Sequence, residues 1–328
     1  MAKKSVIETS MNEAAVDLFE EMLEMIDLLK GELIETENGS MILDLGLKAS
    51  GGYLAGEYVT QVCMGGLAEV SLKMKEFDNL TLPCITVVSD FPAIATMGSQ
   101  FAGWSIDKDG FRAIGSGPAR ILAKKPKELF ERIPLVENFD KTVVVLETST
   151  YPTNNVLKYL AEKCQISEGN LNVIITPTAS ITGATQISGR SIETAIHKLY
   201  DLGMDINLIL SACGSAPISP LLTNNTNIML GKTNDMLIYG SEVFIQVNYP
   251  KEKEKELQTY LEKAISSTSK YYGQLFFNII NNAKGNFYQI DPAIFAPAKL
   301  IANNISTGNT FTFGKINNEM LNRSFLLH

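Results

Sequence analysis

Short β-branched runs and amphipathic helical stretches follow one another along this chain without a regular β-α-β alternation, and that irregularity is the strongest single limit on its fold. Cys84 to Ser89, Thr142 to Glu147 and Asn172 to Thr176 are short runs bounded by polar or Pro residues, which predicts strands. Ser10 and Glu13 have capping-box spacing ahead of Val16, Phe19, Met22, Leu23, Ile26 and Leu29, so the chain opens with an amphipathic helix. Further helices are predicted at Asn154 to Cys164 and Ile192 to Leu202. The segment Tyr53 to Met64 fits a short helix or a strand. Hairpins are predicted for Leu33 to Thr36 with Met41 to Leu45 through Asn38-Gly39, and for Met236 to Tyr239 with Val243 to Val247 through Gly240-Ser241. A last hairpin pairs Lys299 to Ile305 with Asn309 to Ile316. The stretch from Lys251 to Lys284 reads as mostly helical with a break near Ser266 to Ser269, and a short helix ends the chain. The fold class is therefore α+β, with no internal repeat.

At 328 residues the chain exceeds the roughly 250 to 300 at which single cores stop growing. Two mixed α/β lobes side by side are expected, about 1–140 and 141–328, with strands free to exchange between them and a cleft in the middle. The 28 Lys and Arg against 36 Asp and Glu give a net charge of -8, and the basic residues are scattered, which argues against nucleic acid as a partner. Met1 to Lys4 lead into acidic helical sequence, and no apolar run approaches the ~20 residues that cross a bilayer, so no membrane association and a cytoplasmic location are expected. Cys63, Cys84, Cys164 and Cys213 are far apart in apolar or strand-like sequence and read as buried free thiols. With two histidines, His197 and His328, zinc motifs are absent and no metal site is expected. Chemistry must rest on carboxylates, Arg, hydroxyls and backbone amides.

Two long uncharged stretches rich in small residues are candidate ligand loops, since backbone there can approach a ligand closely. Gly115-Ser116-Gly117-Pro118-Ala119-Arg120 reads as a helix start whose amides could hold an anion with Arg120 one turn in, or equally as a plain capped turn with a surface arginine. It lacks the ending of a Walker loop.

The second stretch, Thr176 to Glu193, leaves the carboxyl end of a strand, where ligands commonly bind. A helix starting near Ser188 places Arg190, Glu193 and His197 on one stripe, away from Ile192, Ala195, Ile196 and Leu199. On spacing alone this is a surface ion pair. The uncharged residues before it suggest instead a dry wall beside a general base, Glu193, with Arg190 favouring its charged form. His197 reads as a helix-face partner rather than a proton carrier. Ser89-Asp90-Phe91-Pro92, Thr233-Asn234-Asp235 and Asp291 to Ala298 each read as turn chemistry.

Together these segments resemble one family, the methenyltetrahydromethanopterin cyclohydrolases. The resemblance rests on Asp90 to Thr96, Gly115 to Arg120, Thr176 to Glu193, Thr233 to Asp235 and Phe295 to Ala298, in the family's order from about Asn12 to Asn318. It implies a catalytic pair at Arg190 and Glu193, in the segment Ser188-Gly189-Arg190-Ser191-Ile192-Glu193. Contacts to substrate are expected from Asp90, Ser116, Gly117, Arg120, Ser180, Gln186, Ser188 and Asp235, with Arg120 and the Gly115 to Gly117 amides meeting the anionic tail. Phe91 and Ser219 depart from the family, where His and Ala are expected.

The implied reaction is reversible hydrolysis of the methenyl bridge of a reduced pterin carrier to the 5-formyl compound, in methanogenic one-carbon metabolism. The bridging carbon is already an electrophilic amidinium, so no metal or redox cofactor is expected. The resemblance also implies a homotrimer. The competing readings are a phospho-metabolite transferase or isomerase using the Gly115 to Arg120 loop, and a pterin-binding protein without turnover.

Overall fold

The computed structural model describes residues 10–133, 135, 137–222, 225–284 and 289–326. Its twelve strands are β1 (Glu32–Glu35), β2 (Met41–Asp44), β3 (Glu69–Phe77), β4 (Leu80–Ser89), β5 (Trp104–Lys108), β6 (Phe111–Ser116), β7 (Thr142–Glu147), β8 (Leu171–Ile175), β9 (Ile209–Pro217), β10 (Glu242–Val247), β11 (Lys299–Asn304) and β12 (Thr310–Gly314). They form two six-stranded sheets, ordered β1-β2-β8-β7-β6-β5 and β12-β11-β10-β9-β4-β3. Each mixes parallel and antiparallel pairs: β8 runs parallel to β2 and β7 in the first, and β10 parallel to β11 in the second. The expected α+β class holds. The chain enters the first sheet, crosses to the second for β3 and β4, returns for β5 to β8, and ends in the second.

The first sheet is covered on both faces, which explains why β7 and β8 are nearly unbroken apolar runs. Val143, Val145 and Ile174 pack with the Met11–Glu24 and Tyr53–Cys63 helices on one side. Val144, Leu146, Val173 and Ile175 pack with the Asn154–Cys164 helix on the other. In the second sheet, Ile85, Val87, Val243, Ile245 and Leu300 bury against Ile192, Ile196 and Leu199. Its other face is open at Val88, Cys213 and Phe244, so Cys213 is exposed and not, as expected, buried. Registry with Val88 and Phe244 places it on that open face.

Tyr53 to Met64 is resolved as a helix, Tyr53–Cys63. The hairpin expected at Gly240-Ser241 is wrong. Thr226–Gly240 is one helix, started by the Asn225 side chain accepting from Ile228 N–H, and β10 pairs with β9 instead. Residues 235–240 are buried together, so no alternating face was available to a strand. The Thr176 to Gly189 stretch is likewise only a loop as far as Ser180, whose hydroxyl accepts from Gly183 N–H and starts the Ile181–Ser188 helix. Small residues suit it to close packing on the Tyr53–Cys63 helix, where a Cβ on Gly56 would lie 2.4 Å from Thr185. No helix among the described residues is long and apolar enough to cross a membrane.

Asp235 is fully buried in the cluster formed by the Thr226–Gly240, Phe276–Asn282 and Asn318–Phe325 helices. It accepts from Phe276 N–H at 2.8 Å and Ser324 Oγ at 2.8 Å. Burial pushes its carboxyl up to about 7, against the pull of those bonds and of Arg323 and Lys232. Between about pH 4 and 7 the unfolded chain has released this proton while the folded chain keeps it, so stability falls as pH rises through that window. Asp235→Asn removes the titration. The loss of melting temperature between pH 5 and pH 8 is therefore expected to shrink in this variant, with a gain at pH 8 on the order of 1 to 3 kcal/mol. Thermal melts at both pH values check it; an unchanged pH 5 to 8 difference would count against it.

Candidate active site

Gly189 and Arg190 separate two short helices, the second of which carries the predicted stripe. The Ile181–Ser188 helix packs on the first sheet's Tyr53–Cys63 helix, whereas the Ser191–Asp201 helix lies on the second sheet. Gly189 joins them so close to the Tyr53–Cys63 helix that a Cβ there would meet Thr60 Cγ2 at 2.6 Å. Arg190 occupies this corner and precedes the second helix as its first flanking residue.

The guanidinium of Arg190 is buried and draws in partners from three other segments. Nη1 donates to the Gln100 carbonyl at 2.6 Å, and Nη2 donates to Ser116 Oγ at 3.1 Å and Gln186 Oε1 at 3.2 Å. Gln100 ends the π-helical turn Ile94–Gln100 that follows β4, and its own side chain donates to the Gly189 carbonyl at 3.0 Å. Ser116 ends β6, and its hydroxyl also lies 3.5 Å from Cys63 Sγ. Burial pushes the Cys63 thiol up, with Arg190 opposing. All three acceptors of Arg190 are neutral oxygens, so its charge is not cancelled by a carboxylate in contact.

Glu193 sits in the first turn of the Ser191–Asp201 helix with only 8% of its side chain exposed. The expected stripe is present, but its pairing differs. The basic side chain within ion-pair distance of Glu193 is that of His197, at 3.5 Å between Oε1 and Nδ1, and not that of Arg190. The helix turn separates the Arg190 and Glu193 side chains enough that each takes its own partners. The arrangement can hold a poorly hydrated carboxylate near a fixed positive charge, which is what a general base acting on water requires.

A family model described as Cyclohydrolase (MCH) matches residues 10–325. The chain belongs to that family. It is 43% identical over 317 residues to a methenyltetrahydromethanopterin cyclohydrolase of Methanocella arvoryzae, covering 96% of this chain and 98% of the relative. Proteins of the same name from Methanoculleus marisnigri and Methanosarcina mazei are each 40% identical over 316 residues, with the same coverage.

Within this cyclohydrolase fold the other expected contact residues divide. Ser116 and Gln186 hold Arg190, and Gly117 (φ +93°) makes the turn that brings its N–H to the Ser99 carbonyl at 3.0 Å. Ser180 caps its helix, and Ser188 donates to the Pro217 carbonyl at 2.8 Å. Asp90 is exposed just before the π-helical turn, beside Phe91 at 42% exposure. Ser219 is buried and donates to the Pro220 carbonyl. Among the described residues, no hydrogen bond or ion pair joins Asp235 to Arg190 or Glu193, and no group of three or more His, Cys, Asp or Glu is placed to hold a metal ion.

Arg120 is the residue expected to meet the anionic tail of the substrate. It is fully buried, and its guanidinium turns inward: Nε donates to the Lys125 carbonyl at 2.8 Å, and Nη1 reaches the carbonyls of Met97, Gly98 and Ser99 at 3.0 to 3.4 Å. The rings of Phe101 and Phe130 lie 5.2 and 5.7 Å from it. Its helix, Ala119–Ala123, is a little over one turn long. The guanidinium contacts close the carbonyl end of the π-helical turn, while Nη2 is buried with no hydrogen-bond partner among the described residues. Burial pushes its pKa down to about 9, while Glu193 pulls it up and Arg190 pushes it further down, so it stays charged at neutral pH. Arg120→Met strands those carbonyls and is expected to cost about 2 to 4 kcal/mol of stability, with KM of the folded enzyme little changed. Urea unfolding with steady-state kinetics checks this; a raised KM at unchanged stability would restore the tail contact.

Proposed function

We propose that this chain hydrolyses the methenyl bridge of 5,10-methenyltetrahydromethanopterin to the 5-formyl compound, reversibly, with Glu193 as general base and acid. The observation that carries the assignment of roles is a carboxylate almost sealed from water one helical turn from a buried, uncancelled guanidinium, in a chain that matches the cyclohydrolase family nearly end to end. In this reading Glu193 takes a proton from a water molecule as the oxygen adds to the amidinium carbon, giving a neutral tetrahedral adduct. The same carboxyl then gives that proton to the arylamine nitrogen, the carbon to arylamine bond breaks, and the freed carboxylate takes up the hydroxyl proton as the formyl group forms. Atoms and charge balance as cation plus water giving neutral product plus one proton.

Arg190 cannot serve as the acid, because a guanidinium does not release its proton near neutral pH. Its part is to fix the corner and set the local potential. No cofactor takes part in this scheme, and we place the enzyme in the cytoplasm as a homotrimer, following the family resemblance. A phosphate-binding role for the Gly115 to Arg120 loop is not favoured, since Gly117 and Arg120 are committed to protein carbonyls.

Glu193→Gln keeps shape and removes the base, so kcat is expected to fall on the order of 10² to 10⁴ with substrate still bound. Decay of methenyl absorbance measures it. Decay near the wild-type rate would end this assignment, whereas a binding shift without decay in the unaltered protein would favour the carrier reading.

Arg190→Ala opens the ties among Gln100, Ser116 and Gln186. It is expected to lower kcat on the order of 10²-fold, because misplacing a reacting group by about an ångström costs that much. Arg190→Lys, which keeps charge but not the fork, should recover only part of the loss. Full recovery by lysine would mean that charge alone matters.

A further inference from the structure

Every forward turnover in the scheme above leaves one surplus proton at Glu193, whose side chain is 8% exposed. Water cannot readily collect it there. Two turns of the same helix supply another exit. Glu193, His197 and Asp201 are spaced i, i+4 and i+8 along Ser191–Asp201, and so lie on one stripe. His197 Nδ1 is 3.5 Å from Glu193 Oε1, and Nε2 is 3.7 Å from Asp201 Oδ2. Exposure rises along the row, from 8% at Glu193 to 28% at His197 and 42% at Asp201. The imidazole ring is held edgewise by Phe101, with centroids 4.5 Å apart at 57°. Phe101 directly follows the π-helical turn and also lies over Arg120.

From this geometry we infer that His197 and Asp201 carry the reaction's surplus proton between Glu193 and solvent. The inference rests on the assignment of Glu193 as the base. Each ring nitrogen faces a different carboxylate, which is the arrangement by which an imidazole accepts a proton on one side and releases one on the other. Both separations exceed a hydrogen bond by less than an ångström, a gap that side-chain rotation closes. The Glu193 carboxyl gives its proton to Nδ1, the proton on Nε2 passes to the Asp201 carboxylate or to water, and the carboxyl releases it to bulk. The partly exposed ring then exchanges with water and returns to its first tautomer. In the reverse direction the same row delivers the proton that dehydration consumes. His197 acts through Glu193 and does not touch the substrate, so it is a positioning and relay residue.

The test uses His197→Gln, which keeps the length of the contact and cannot relay, with Asp201→Asn as a surface variant that leaves the helix core untouched. At low buffer concentration His197→Gln is expected to lose on the order of tenfold in kcat with KM unchanged, and added imidazole should restore most of it. Asp201→Asn should show a smaller loss restored in the same way. Wild-type rates should not respond to imidazole, and Glu193→Gln should stay inactive with or without it. Two results would overturn the relay while leaving the base in place: His197→Gln as fast as wild type at low buffer, or slow and deaf to imidazole, each alongside an inactive Glu193→Gln. An active Glu193→Gln would instead remove the base, and the relay with it.

Discussion

The contacts of one guanidinium hold the two sheets in the relation that the site needs. Arg190 reaches the end of β6 in the first sheet through Ser116, the turn after β4 of the second through the Gln100 carbonyl, and its own preceding helix through Gln186. Gln100 answers by donating back to Gly189, so the corner is tied from both sides. Charge-assisted bonds of this kind are among the stronger ones a protein makes, and a buried cation without partners is costly. The corner is therefore specified sharply: any slip between the sheets leaves a charged donor unmet. Arg120 does the same one layer away, gathering the carbonyls of Met97, Gly98 and Ser99 and closing the π-helical turn that presents Gln100. Two buried arginines thus organise backbone from different sheets around a single carboxylate.

The parts of this arrangement that were legible in the sequence are those with a one-dimensional signature. β7 and β8 stand out because both faces are buried and their runs are nearly unbroken apolar, and Asn38-Gly39 marks the β1 to β2 hairpin by the turn it must make, with Gly39 at φ +84°. β3 lacks the continuous apolar run that marks β7 and β8, because it is an edge strand carrying charge at Glu69, Lys73, Lys75 and Glu76. β5 and β6 were missed although Asp109-Gly110, both at positive φ, is the same class of turn signal. The Thr226–Gly240 helix was misread because most of its length is buried on all sides, which erases the periodic face that betrays a helix.

The site followed the same division. Placing Arg190, Glu193 and His197 on one stripe needs only the 3.6-residue period, and the structure has that stripe. Which way each side chain points is a three-dimensional matter. Six residues around Arg120 announce a helix start but do not reveal that the guanidinium folds back into the carbonyls of residues 97 to 99. The contact of Glu193 runs forward along the helix to His197, the residue read as its helix-face partner, while Arg190 takes neutral acceptors. Asp201 was visible at the next i+4 position, yet without the imidazole seen between two carboxylates it had no reason to be singled out.

The charges around Glu193 bear on how hydrolysis of a cation proceeds there. Arg190 takes neutral oxygens as its acceptors, so no carboxylate in contact offsets its charge among the described residues, and Arg120 lies near enough for its ionisation to respond to both Arg190 and Glu193. A cationic amidinium entering this field gains from Glu193 and is opposed by Arg190. Addition of water discharges the substrate: the adduct and the formyl product are neutral, and the opposition vanishes. In the proposed reaction, then, the guanidinium disfavours the bound cation relative to the neutral adduct, an effect felt more in the ground state than along the reaction path and thus expressed in kcat. It also sets a condition on the proton. While Glu193 keeps the surplus proton, its carboxyl is neutral and the next cation meets two positive groups with nothing to offset them. Clearing that proton restores the attraction, so proton departure and binding of the next cation are coupled through the same carboxylate.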